Sequence, residues 1–402
     1  MVSCTVYHPM KPLILLTCIF AIMVALIAAA LPKRTVSQTP NTNTPRTSIS
    51  EETDRLVKNC RNNFKWMTCY IDKFTMLVRR HGFDDSVEIL AKVQDIDERT
   101  RACHLIAHKI VLSAVGKDAE KWEEILDKVD IHKCGYGFVH GILESRSQFD
   151  TSFVLSPSTI HNFCDDIESR KPGFGIYNSC MHIVGHVLLV EKDGNVDAAA
   201  ETCGELREQG QVACFAGLFM ENFTRENLEL HGIATRVPWD EELRNTQEKL
   251  CKSYSGYAGL GCWIEISYLY NALHPYNPQM LFRDCGRAPT IEYQDACYLH
   301  GVKTLLIFRE PASNAYMISL CEPYRNTSSY ENCTYKVANG LIRTSTKLTD
   351  KALHYCNLLE DSRKKNCYAN IGNVLKTIVS KEEQKTLCTS TPTMYRDLCE
   401  KR

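Results

Sequence analysis

The chain has almost no net charge. Its 47 Lys and Arg against 48 Asp and Glu leave −1 over 402 residues. It has no long basic run, so the electrostatic footprint of a nucleic-acid binder is missing and no nucleic-acid partner is expected. It has no Ser-His-Asp signature, no phosphate-cradling Gly-rich loop and no Cys-x-x-Cys-His haem attachment. The lack of Cys-x-x-Cys argues against a thioredoxin-like oxidoreductase. Both His-x-x-x-His pairs lack an internal Glu, which excludes a standard zincin.

Cysteine is abundant, with 20 residues, of which eighteen lie from Cys60 onward. Near the N-terminus, residues 12–31 form an uncharged apolar run after a short tail, residues 1–11. Twenty residues at ~1.5 Å each span a bilayer core of ~30 Å. The run reads as a transmembrane signal anchor. The alternative is a signal peptide cleaved after Ala28-Ala29-Ala30, which would leave a secreted protein. Lys11 before the run, against Lys33 and Arg34 after it, leans towards the opposite orientation. An even set of cysteines needs an oxidising compartment, and that overrides the charges: the expectation is a single-pass membrane protein with an extracytoplasmic C-terminal domain. Residues 32–55, rich in Ser, Thr, Asn and Pro, read as a flexible stalk.

Ten cysteines recur at helix openings: Cys69, Cys103, Cys134, Cys180, Cys214, Cys262, Cys297, Cys333, Cys367 and Cys399. Most intervals lie near 34 residues, the period of stacked helix–turn–helix repeats. A second set lies 9 to 16 residues before most of them: Cys60, Cys164, Cys203, Cys251, Cys285, Cys321, Cys356 and Cys388. Each unit therefore reads as helix A ending near one cysteine, a turn, and helix B opening on the next. Ser179, Asn332 and Asn366 are the expected N-caps of helix B. A bond across each turn would contribute roughly 3 kcal/mol by the chain-entropy argument. Cys103 and Cys134 lack helix-A partners and are expected to pair with each other. Gly137, Gly185, Gly217 and Gly372, early in helix B, are expected to let helices approach closely. The predicted fold is all-α: a disulfide-stapled helix–turn–helix solenoid over residues 56–402.

This layout resembles the TPR-like and Sel1-like helical repeat families, cysteine-rich secreted members included. The resemblance covers period and layout and implies a right-handed superhelix with a groove. It carries over no site residue.

Three sequons begin at Asn222, Asn326 and Asn332 and are expected glycosylation acceptors in a eukaryotic secretory pathway. Of thirteen histidines, seven lie between 104 and 186: His104, His108, His132, His140, His161, His182 and His186. His104 with His108, and His182 with His186, are four apart and share a helix face. His140 and His186 each sit six residues past a cysteine, Glu144 is a turn beyond His140, and Glu221 is seven past Cys214. Stacked repeats align such positions. His104, His108, His140, His182, His186 and Glu221 are thus candidate ligands for a transition metal, Zn, Cu or Fe. A structural polar core and a metal-free acid–base site are the other readings. Trp263, Glu265 and the Tyr268–Tyr276 stretch follow a long insertion, residues 223–245, that reads as a binding loop or ordinary surface. The expected function is an extracytoplasmic module that binds or scaffolds a protein or peptide. The alternative is a metal-binding protein or metal-dependent enzyme centred on the histidines.

Overall fold

The computed structural model describes residues 48–400, apart from 98–99, 101–102, 117–120, 130, 132, 173–174, 224–239, 275–276, 308–312 and 345. The expected membrane span at 12–31, His132 and most of the 223–245 insertion lie outside the described residues. Among the described residues no helix is long and apolar enough to cross a membrane.

Every regular element described is helical. The first helices are α1 (Ile49–Cys60), α2 (Trp66–His81), α3 (Phe83–Ile96), α4 (His104–Val115), α5 (Lys121–Lys128) and α6 (Gly137–Phe149). Then come α7 (Pro157–Arg170), α8 (Ile176–Glu191), α9 (Val196–Gly204), α10 (Glu208–Phe223), α11 (Glu241–Ser253) and α12 (Gly256–Leu273). The last are α13 (Pro278–Cys285), α14 (Ile291–Ile307), α15 (Asn314–Ser319), α16 (Ser329–Thr344), α17 (Thr349–Asn357), α18 (Asp361–Ile378), α19 (Lys381–Leu387) and α20 (Thr393–Glu400). Each odd-numbered helix is the first arm of a hairpin and the next even-numbered helix is the second. The even-numbered helices pack on one another in chain order, α2 on α4, α4 on α6, and so on to α20. This is the stacking that a period near 34 demands. The second arms α8 and α12 are buried over most of their circumference, as stacked central helices must be. Trp263, Tyr70, Tyr270, Tyr298, Tyr355 and Tyr368 are among the largest fully buried side chains.

Nine disulfides use all eighteen cysteines from Cys60 onward. Eight join the two arms of one hairpin: Cys60–Cys69, Cys164–Cys180, Cys203–Cys214, Cys251–Cys262, Cys285–Cys297, Cys321–Cys333, Cys356–Cys367 and Cys388–Cys399. The ninth, Cys103–Cys134, joins successive layers. Such a set points to an oxidising, extracytoplasmic environment.

Three local expectations change. Residues Ile49–Arg55 belong to α1 rather than to a stalk: Glu51 and Glu52 favour a helix N-terminus, and Leu56, Val57 and Cys60 bury one face. The second arms start before their cysteines, because largely polar first turns such as Glu208–Gln211 and Asp361–Lys365 are helix rather than loop. Ser179, Asn332 and Asn366 therefore lie inside helices and cap none. Most side-chain caps sit on first arms, at Ser156, Asn195, Asp240, Asn277, Ser313 and Ser380, while Thr290 caps the second arm α14 by accepting from the Tyr293 N–H.

Candidate metal centre

Glycine sets how near the histidine-bearing helices come. A Cβ on Gly137 or Gly141 of α6 would strike the carbonyls of His104 or His108 on α4. One on Gly185 of α8 would strike the Cys214 carbonyl on α10, and one on Gly217 the His182 carbonyl. Backbones this close bring short side chains of neighbouring helices into contact. Cys103–Cys134, with Cα atoms 4.8 Å apart, ties the start of α4 to the turn that leads into α6.

The imidazoles then form one continuous group. His108 stacks on His140 with ring centres 4.4 Å apart and planes 16° from parallel. His104 Nε2 lies 3.1 Å from His140 Nδ1. His140 and His186 have ring centres 5.2 Å apart. His186 Nε2 lies 3.2 Å from His182 Nε2. Two carboxylates close the ends. Glu144 pairs with His108 through Oε2 and accepts from Gln148 Nε2 at 2.7 Å through Oε1. Glu221 Oε2 lies 2.6 Å from His186 Nδ1. His108, His140, His186, Glu144 and Glu221 are buried, while His104 and His182 are half-buried.

Two donor sets emerge. His108, His140 and Glu144 each place a ligand atom within 4.8 Å of the others, close enough to share one ion. In the second set Glu221, when ionised, accepts from His186 Nδ1–H across 2.6 Å. That fixes the tautomer with Nε2 bare, beside His182 Nε2, the usual role of an outer carboxylate in a metal site. Metal–nitrogen bonds of about 2.0–2.1 Å put adjacent ligands of a tetrahedral ion about 3.3 Å apart. The 3.2 Å gap between His182 and His186 matches that edge. Burial, then His186, Lys303 and His104, hold the His182 pKa well below its ordinary value, so the ring is a neutral donor.

The sequence candidates His104, His108, His140, His182, His186 and Glu221 thus meet, together with Glu144. His161 does not. Its Nδ1 bonds the Tyr177 hydroxyl at 2.8 Å and its Nε2 accepts the Arg207 N–H at 3.1 Å, so it is a core hydrogen-bonding residue. Trp263 and Glu265, which follow the insertion, are buried in α12. Of the sequons, Asn326 is exposed between helices and Asn332 is exposed in the first turn of α16. Asn222 is half-buried and bonds Gln247. Sequence reasoning missed Lys303 on α14, which reaches the same wall six residues past Cys297, a register shared with His140 and His186.

Set against known proteins, the chain matches no family model, no curated protein and no solved structure.

Proposed function

We propose that this is an extracytoplasmic metal-binding protein whose helical repeat holds a transition-metal centre of the open, catalytic type. The observation that supports it is the convergence of His108, His140 and Glu144 from two helices onto one buried point. His182 and His186, with Glu221 behind them, extend the donor set. Imidazole with carboxylate suits Zn²⁺, Cu²⁺ or Fe²⁺. Three protein donors leave one position of a tetrahedral ion for water or substrate, the arrangement used to activate water for hydrolysis. The Sel1-like and TPR-like reading of the architecture, and an anchor formed by residues 12–31, belong to the same proposal. They rest on the helix pairing and on the apolar run.

The test is elemental analysis of the oxidised protein, purified without chelator or an affinity metal. Stoichiometric transition metal, lost in His140→Ala and in Glu144→Gln, is the expected result. A metal-free protein that takes up no Zn²⁺, Cu²⁺ or Fe²⁺ on titration would leave the cluster as a polar core. Protein or peptide binding by the repeat surface, which the fold class alone supports, would then be the reading to pursue.

A further inference from the structure

Two layers beyond the histidine pairs, α12 and α14 repeat one register: Glu265 and His300 each lie three residues past a cysteine, and Tyr268 and Lys303 each lie six past. The pair they form is set up but not closed. His300 Nδ1 lies 3.0 Å from the Ile264 carbonyl, which can only accept, so Nδ1 carries the proton. The Ser267 hydroxyl, 3.2 Å from the same nitrogen, and the edge-on Tyr268 ring hold the imidazole in place. Nε2 is therefore a bare acceptor. It lies 3.9 Å from Glu265 Oε1, too far for a hydrogen bond. The Glu265 Oε2 atom has no hydrogen-bond partner among the described residues, although Glu265 is only 2 % exposed. Two hydrogen bonds of about 2.8 Å meeting near a right angle span roughly this gap, so the two groups stand as far apart as a pair bridged by one oxygen. Solvent reaches the edge of His300, whose side chain is 15 % exposed.

Burial raises the Glu265 pKa to about 8 against the opposing pull of Lys303. Burial, then Lys303 and Lys336, lowers that of His300 well below its ordinary value. At neutral pH the wall offers a carboxyl O–H donor, an imidazole acceptor and an ammonium. A matching ligand needs an acceptor oxygen, a hydroxyl and negative charge together. Sulfate and simple carboxylates have no hydroxyl for His300 Nε2.

We infer that Glu265, His300 and Lys303 form a binding site for an oxyanion that carries its own hydroxyl: hydrogen phosphate. The inference does not depend on the metal centre.

The experiment is calorimetric titration of the chelator-treated, disulfide-intact protein with inorganic phosphate and, separately, with sulfate. Phosphate is expected to bind, and sulfate to bind at least about tenfold more weakly, the cost of a buried acceptor left unpaired. His300→Ala and Lys303→Met should each weaken phosphate by about tenfold or more. Lys303 is half-buried, so its variant keeps the test valid if His300→Ala does not fold. Chelator treatment removes any bound metal before the titration, which separates this site from metal-held phosphate. No phosphate binding, equal binding of sulfate, or phosphate binding unchanged in Lys303→Met would overturn the assignment.

Discussion

His186 engages one neighbour with each ring nitrogen, and the two ends do different jobs. Glu221 fixes the proton on Nδ1, and Nε2 is left to face His182. Glu221→Ala should therefore lower metal affinity by about 10–100-fold without removing a direct ligand. Competition against a chromophoric chelator measures this. Glu265 is a residue whose burial costs stability at high pH. Its folded pKa, about 8, lies above the ordinary carboxylate value, so the folded state keeps its proton where the unfolded chain has released it. Stability should fall as pH rises from the ordinary carboxylate range through about 8, with the full penalty above that. Glu265→Gln should flatten this dependence, leaving the melting temperature little changed in mild acid and raised in mild base. Thermal melts across that range are the check. The histidine pairs were legible in the sequence because four-residue spacing and a shared offset from cysteine both survive folding. The Glu265–His300 pair obeys the same offset rule. It was harder to see because neither arm carries a second histidine four residues away to mark the face.

At the scale of the helix, the decisive contacts are backbone to backbone. Gly217 lets α10 lie against the His182 carbonyl of α8, and Gly185 returns the contact from the other side. Gly217→Ala should push the two helices apart, costing about 1–3 kcal/mol in a denaturant titration, as overpacking of a tight core does. It should also loosen the His186–Glu221 contact and lower metal content, an effect that a substitution in an outer arm such as α19 would not share. The glycines were readable as close-approach positions. The helix starts were not, because Glu208–Gln211 and Asp361–Lys365 are polar on every side that shows. A largely polar first turn has the composition of a loop, and its helical state is decided by the packed turns that follow.

For the whole repeat domain, each layer touches little beyond its neighbours, so stability is a sum of local terms. A metal that bridges α4 and α6 would add an interlayer term. Chelation should then lower the melting temperature of the wild type and leave His140→Ala unmoved, as linkage requires. Differential scanning calorimetry with and without chelator distinguishes the two. The one-dimensional order of the layers was visible in the cysteine intervals. Which layers would share a polar wall was only partly so, since that depends on helix rotation, and rotation is set by packing rather than by period.

The Cys103–Cys134 bond gives the centre a history. It joins the helix that carries His104 and His108 to the one that carries His140 and Glu144, and it is the one bond among the nine that links separate layers. On the proposed metal reading, oxidation would come before metallation. A newly made chain that meets metal while its thiols are still reduced holds the two halves of the His108–His140–Glu144 set on helices free to part, with thiolates competing for the ion. The same ion offered after the bond has closed finds both halves already held together.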